Sequence, residues 1–381
     1  MGSFCVKILL SVNAAWNIWN FRRPLVEALL ADGHTVRILA PRDDAVPQLE
    51  AMGCSFSHLE MSVKGLNPVQ DGRLTLRFRK HFSDFQPDAI LSFTIKNNLF
   101  GAIAAKSLRI PFIPNVTGLG TAFLSGAVLE RAATVLYKSA FRKLPVVFFQ
   151  NQDDQALFLD RRLVTPAQAR CVPGSGIDLD RFAAAPLPSD APAPVFLMIA
   201  RLLRDKGVVE FVDAARLVRA RQPQARFQLL GATSAENRTA IDRETVESWE
   251  SEGIIEYLGV TGDVRPQIMS ADCVVLPSYR EGAPRTLIEA AAMARPLIAT
   301  DVPGCRAVVE DSRTGFLCAV RSAESLAQAC EAFIALTPHE RADMGRAGRI
   351  KMEREFGYNI VVDAYRKAFQ DLSRALRQPS E

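Results

Sequence analysis

The chain has 381 residues, 48% of them apolar and 23% charged, and a net charge of +4. That length exceeds what one hydrophobic core usually serves, so two globular domains are expected rather than one, and the balance excludes a disordered or fibrous chain. No apolar run approaches the ~20 residues that span a bilayer, residues 1–10 are too short and too weakly basic for a signal peptide, and the seven scattered cysteines, never spaced C-x-x-C, suit reduced cytoplasmic thiols rather than disulfides or zinc.

Residues 6–12 (VKILLSV) are a continuous apolar run. A loop at 13–20 (NAAWNIWN), helical material at 21–32 and a second run at 35–41 follow, which makes a strand–helix–strand unit. The alternation repeats with a strand at 55–61, a basic helix to about 85, strand 89–94 (AILSFT), helix 97–108 and strand 111–116 (PFIPNV). A helix within 126–144, strand 146–151 and helix 154–163 complete the first half. Residues 187–194 (LPSDAPAP) read as a linker. The pattern then restarts with strand 195–200, helix 208–221, strand 226–231, a polar helix within 239–251, strand 254–259 and helix 264–270. Strand 273–277, a helix opened by Pro284 at its first position, strands 296–300 and 315–319, and helices to 377 complete it. Alternating strands and helices predict parallel sheets, and continuous apolarity in the strands predicts burial on both faces. The expected organisation is a Rossmann-like domain at 1–186, with a terminal helix at about 357–377 packing back on it, and a second Rossmann-like domain at 187–356.

Charge is unevenly shared: residues 1–173 hold 20 Lys and Arg against 13 Asp and Glu, the remainder 26 against 29. The basic excess gathers at 64–81 (Lys64, Arg73, Arg77, Arg79, Lys80) and 131–143 (Arg131, Lys138, Arg142, Lys143). Both stretches fall on predicted helices, as solvated faces or as surfaces that attract anionic lipid head groups or a phosphate-bearing acceptor. Nucleic acid is not expected, because aromatic interleaving and a binding motif are both missing.

Ligands of doubly wound sheets bind beyond the carboxyl ends of the strands. Two stretches lie there, 200–207 (ARLLRDKG) and 278–292 (SYREGAPRTLIEAAA), as does Gly231. Arg201 and Lys206, on a loop between strand and helix, can meet two phosphates as a bidentate fork and a point charge. Glu281 and Glu289 are eight residues apart, about 12 Å along a fully helical path. That exceeds the roughly 5–9.5 Å of a glycosidase pair and suits opposite ends of an elongated ligand.

The second stretch, with LIATDVPGCR after it, resembles the E-x-x-x-x-x-x-x-E signature of the retaining family-four glycosyltransferases of GT-B fold, two Rossmann-like domains facing a central cleft. ARLLRDKG resembles the G-R-L-x-x-x-K-G loop of that family, and YLGVTGDV, GIDLDRF and TGFL match in order. EGAPRTLIEA, TDVPGCR and NVTGLGTAF look most like bacterial enzymes that add N-acetylhexosamines or related sugars to undecaprenyl-diphosphate-linked acceptors. The resemblance implies a UDP-sugar donor, a polyprenyl-diphosphate-linked sugar acceptor, no metal cofactor, and a cytoplasmic protein peripheral to the inner face of the plasma membrane through its basic helices. Arg201, Lys206 and Glu281 would be catalytic. Gly231, Val260, Gly282, Ala283, Pro284, Arg285, Thr286, Leu287 and Glu289 would bind the nucleotide-sugar, with Glu289 on the ribose hydroxyls and Glu281 on the sugar. Arg285 has no further argument behind it; the acceptor or plain solvent would suit it.

In the first half, Asn13, Trp16, Asn115, Thr117, Gly118 and Gly120 are expected to line the acceptor or donor-sugar cleft. Many family members carry a His on the loop at 115–123. This chain has only His34, His58, His81 and His339, so Asn115 or Thr117 would supply any hydrogen bond there, and a histidine base is not expected. The first loop lacks the paired glycines common in the family, which puts a backbone phosphate contact there in doubt. Trp16 and Trp19 would stack on a sugar or merely pack. Asp178-x-Asp180 lies beside the linker rather than in a donor site and is not read as a metal motif. A GT-B sugar-nucleotide epimerase and a non-catalytic sugar-nucleotide-binding protein fit the same residues as alternatives.

Overall fold

The computed structural model describes residues 5–62, 67–118, 127–188, 194–233 and 239–377. The chain divides into two compact units, Met1–Gly176 with Tyr358–Glu381, and Ile177–Gly357.

In the first unit, β1 (Lys7–Ser11), β2 (Thr35–Ala40), β3 (Ser55–His58), β4 (Ala89–Phe93), β5 (Phe112–Val116), β6 (Val147–Phe149) and β7 (Ala169–Cys171) form one parallel sheet. Its order is β3-β2-β1-β4-β5-β6-β7. Helices cover both faces, so neighbouring residues such as Ile8, Leu9 and Leu10 are all fully buried, which is why the strands read as unbroken apolar runs. One face packs against helices Ala15–Phe21, Arg23–Ala31 and Tyr358–Arg377. The other packs against helices Pro68–Phe85, Ile95–Ser107 and Ala127–Phe141.

The terminal helix is tied to this sheet chemically. Asn115 Nδ2, at the end of β5, donates to the Tyr365 hydroxyl at 2.5 Å, and burial pushes that hydroxyl up to about 12. The Arg366 guanidinium grips Asp32 through two bonds of 2.7 and 2.8 Å.

Two expectations change here. The stretch at 13–20 is not a loop: a helix begins at Ala15. Its N-cap residue, Ala14, has no capping side chain, but Asp43 from the next loop accepts the Trp16 N–H at 2.9 Å, which satisfies a first-turn donor from outside. The domain boundary also moves, from 186/187 to 176/177. Ile177 and Phe182 are buried with Leu287 and Met352 in the second unit's core. Arg295, fully buried, donates to the carbonyls of Ala185 (3.2 Å), Pro186 (2.7 Å) and Ile268 (3.0 Å). Those carbonyls offset the cost of burying a guanidinium, although burial still pulls its pKa down to about 10.

In the second unit, β8 (Val195–Ile199), β9 (Arg226–Leu230), β10 (Glu256–Tyr257), β11 (Cys273–Leu276), β12 (Leu297–Thr300) and β13 (Gly315–Cys318) give a second parallel sheet of order β10-β9-β8-β11-β12-β13. The winding reverses between β1 and β4 in the first unit and between β8 and β11 in the second. Loops leaving such a pair of strands turn to opposite faces and open a crevice between them.

Candidate active site

The loops after β8 and β11 are the two stretches singled out in the sequence. After β8 the chain makes a 3-10 turn, Arg204–Lys206, and enters helix Val208–Arg221. The two loops are joined by backbone, since the Tyr279 N–H donates to the Asp205 carbonyl at 3.0 Å. The Tyr279 hydroxyl donates to Glu210 at 2.6 Å, with burial and this carboxylate pushing its pKa up to about 12. On this frame the Lys206 ammonium is paired with the Glu281 carboxylate, and the two side chains are 23% and 12% exposed. Arg201 is exposed.

Helix Arg285–Ala292 follows, with Pro284 as its N-cap rather than its first residue. Thr286 Oγ1 donates to the Ile199 carbonyl at 3.0 Å, fixing the helix start over the end of β8. Arg285 Nε donates to Glu289 Oε1 at 2.6 Å, one turn deeper. Burial pushes the Glu289 carboxyl up and Arg285 opposes the shift. Leu287 corrects an expectation: its side chain is fully buried and its N–H is spent on the Pro284 carbonyl at 3.1 Å, so it supports the helix and offers a ligand nothing. Gly282 and Pro284 are buried as well, while Ala283 is half-buried.

At the end of β9, Gly231 has φ +152° and a Cβ there would sit 1.8 Å from the Ala200 carbonyl. Only glycine permits that approach. Its N–H donates to the Gly259 carbonyl at 2.8 Å, and its own carbonyl accepts from the Tyr257 hydroxyl at 2.9 Å. Val260, just beyond β10, is 69% exposed. Val260, Gly231, the Arg201–Lys206 loop and Glu281 thus follow the ends of four adjacent strands. With strands ~4.8 Å apart, that edge runs roughly 14 Å: apolar surface at one end, cations in the middle, a carboxylate at the other.

The sequence did not reveal what holds the Glu281 turn. Gly304 (φ +83°) lies beneath it, where a Cβ would come 2.6 Å from the carbonyls of both Glu281 and Gly282. Thr300 Oγ1 donates to the carbonyl of buried Ser278. Both residues sit in or beside TDVPGCR, a visible motif whose contacts, more than twenty residues back, no local pattern announces.

In the first unit, Asn13 is half-buried and its Oδ1 has no partner among the described residues. Trp16 is 53% exposed, edge-on to Phe21 at 5.2 Å. Asn115 departs from expectation: only 2% exposed, it turns to Tyr365 and does not line a cleft. Thr117 and Gly118 are half-buried, Gly118 with φ +142°; Gly120 lies outside the described residues, as does Lys64. A cleft of about 360 Å³ is lined by Gln70, Arg73, Arg77 and Lys96, with Glu60 and Asp71. Lys96 pairs with Asp71 at 2.9 Å, and Arg77 with Glu60 at 2.6 Å. Asp178 accepts the N–H groups of Asp180 (3.1 Å) and Arg181 (2.9 Å), shaping its own turn.

Family models match both units: residues 18–175 match the glycosyl transferase 4-like domain, and residues 193–335 match glycosyl transferases group 1. The chain belongs to this glycosyltransferase family. The glycosyltransferase is 28% identical over 375 residues, 94% of its length and 96% of the relative's, to the N,N'-diacetylbacillosaminyl-diphospho-undecaprenol alpha-1,3-N-acetylgalactosaminyltransferase of Campylobacter jejuni. It is 23% identical over 281 residues, 70% of its length and 71% of the relative's, to the UDP-Gal:alpha-D-GlcNAc-diphosphoundecaprenol alpha-1,3-galactosyltransferase of Escherichia coli. Its fold is that of sucrose-phosphate synthase from Thermosynechococcus elongatus, with TM-score 0.76 and 20% identity over 97% of this chain and 100% of that one. It is also that of Anabaena HepE solved with UDP and glucose, with TM-score 0.76 and 19% identity over 96% of this chain and 100% of that one. Both are GT-B structures, so the GT-B class expected from the motifs is the fold of this enzyme.

Proposed function

We propose that this glycosyltransferase moves a sugar, an N-acetylhexosamine or a close relative, from a UDP-sugar to a lipid-diphosphate-linked saccharide during assembly of a bacterial surface polysaccharide or glycan, with retention at the anomeric carbon. The observation that carries the reading is the run of four strand ends: the base fits the Val260–Gly231 end, the diphosphate the Arg201–Lys206 loop and the sugar the Glu281 turn, while Glu289, on the helix that starts over the end of β8, takes the ribose hydroxyls. The relatives from Campylobacter and Escherichia, named for diphospho-undecaprenol acceptors and alpha-1,3 linkages, support the acceptor class and an α-linked product.

In this reading negative charge grows on the diphosphate as its bond to the sugar breaks. Arg201 and Lys206 would meet that charge as it develops, and so stabilise the transition state more than the ground state. They supply the countercharge without a metal cofactor. The acceptor hydroxyl attacks on the face the diphosphate leaves, the new C–O bond forms as the old one breaks, and the proton passes to the departing phosphate oxygen. Glu281 orients the sugar hydroxyls and need not be a nucleophile.

The test is a mass-spectrometric screen of nucleotide-sugars against short polyprenyl-diphosphate-sugar acceptors. One UDP-sugar is expected to give an α-linked product, undiminished by a chelator; an inverted product, or nucleotide-sugar consumption without acceptor, would overturn the reading.

A lipid-linked acceptor requires the enzyme to work at a membrane. No helix among the described residues is long and apolar enough to cross one. On helix Pro68–Phe85, however, Val69, Arg73, Leu76 and Lys80 recur at the spacing of one face, with Val69 and Leu76 each 65% exposed. On helix Ala127–Phe141, Arg131, Val135 and Lys138 repeat it, with Val135 70% exposed. Both helices pack on the same face of the first sheet. Exposed apolar residues among cations suit the anionic inner face of a plasma membrane, where each Lys or Arg contributes about 1 kcal/mol. The protein is expected to co-sediment with vesicles containing phosphatidylglycerol and far less with phosphatidylcholine alone. Binding that survives Arg73→Glu with Lys80→Glu and Lys138→Glu would rule this surface out.

A further inference from the structure

We infer that Arg285 is a positioning residue for recognition of the donor ribose: it holds the carboxylate of Glu289 aimed and charged, and it touches neither acceptor nor solvent as its main task. The inference rests on the reading of Glu289 as the ribose clamp. Arg285 is in the first turn of helix Arg285–Ala292 and Glu289 one turn on, so the two share a face. The contact, 2.6 Å from Arg285 Nε to Glu289 Oε1, is a charge-assisted bond between side chains that are 25% and 12% exposed. That burial separates it from the solvated i,i+4 pairs elsewhere on this chain, such as Arg243 with Glu247, which are 79% and 57% exposed.

A ribose presents two neighbouring hydroxyls, and an ionised carboxylate, acceptor-only, can take both protons at once. A protonated carboxyl cannot, because one oxygen has become a donor. Glu289 is therefore useful only while charged, and its surroundings work against that. Burial pushes its carboxyl up, and Asp263, before helix Arg265–Ser270, pushes the same way, while Arg285 and then Arg181 oppose them. Asp263 is itself held by Arg265, with bonds of 2.8 Å and 2.6 Å. The guanidinium that both touches Glu289 and favours its charged form is Arg285. The second glutamate of the motif thus has a cation in contact with it, as Glu281 has Lys206.

The experiment measures kcat and KM for the UDP-sugar and its 2'-deoxyuridine analogue from neutral to mildly acidic pH, for wild type, Arg285→Gln, Arg285→Lys and Glu289→Gln, with a melting curve for each. Glu289→Gln is expected to lose discrimination against the deoxy analogue at every pH. Arg285→Gln is expected to lose it as pH falls, with donor KM rising about tenfold or more and kcat little changed, and Arg285→Lys should restore much of it. Wild-type ribose discrimination and KM in Arg285→Gln across the range would overturn the inference, as would an effect confined to acceptor KM. Discrimination retained in Glu289→Gln would instead show that the ribose reading itself is wrong.

Discussion

Lys206→Ala is expected to lower kcat by about 10²–10³-fold, the scale for one preorganised group facing developing charge, with a smaller change in donor KM. The neighbouring structure argues for that split. Lys206 is anchored twice, by the joined loops after β8 and β11 and by its pair with Glu281, so on the proposed reading it would meet the diphosphate from a position already held. Alanine also leaves the Glu281 carboxylate, only 12% exposed, without its counter-ion, which costs more than the cation alone. The reciprocal change separates the two roles. Glu281→Gln removes the charge that neutralises Lys206 in the empty enzyme, so UDP should bind at least as tightly while transfer falls. Stopped-time turnover assays with calorimetric UDP titration measure both quantities. A Lys206→Ala enzyme with wild-type kcat, or a Glu281→Gln enzyme that transfers normally, would remove these residues from the reaction.

Gly304→Ala should damage both stability and donor use, although Gly304 lies outside the E-x-x-x-x-x-x-x-E stretch. Its φ of +83° already costs an alanine about 1–2 kcal/mol. The added methyl would also meet the carbonyls of Glu281 and Gly282 at 2.6 Å, and backbone cannot swing aside as a side chain can. Displacing that turn carries Glu281 away from Lys206. A loss of roughly 3 kcal/mol or more in urea unfolding is expected, with kcat/KM for the donor falling even where the protein stays folded. Gly262→Ala is the control, since a Cβ there meets nothing within 4 Å. Equal behaviour of the two variants would refute the account of the turn.

What was legible beforehand follows from locality. Strands buried on both faces print as unbroken apolar runs, so β1, β4, β8 and β11 and the loops leaving them were readable, and with them Arg201, Lys206, Glu281 and Glu289. Most of what was missed depends on residues far apart. The helix from Ala15 is supported by Asp43, Asn115 is turned inward by Tyr365, and residues 177–186 belong to the second unit partly because Arg295 satisfies their carbonyls. β7 is three residues long and half-buried to exposed, too short and too wet to leave an apolar signature. Arg285 had no assignable role for a different reason. Its partner was in view four residues away, but the burial that makes the pair matter is a property of the folded helix.

The second unit enters and leaves at one place, because Ile177 and Gly357 are paired by a backbone bridge. It is therefore spliced into the first unit, whose last helix, Tyr358–Arg377, is made only after all of Ile177–Gly357. On the ribosome the apolar face around Phe93 and Phe148, which packs on Tyr365 at 6.4 and 4.7 Å between ring centres, must wait uncovered through the synthesis of an entire domain. Folding of this chain cannot run strictly from front to back: the second unit can close on its own schedule, and the first unit is finished last.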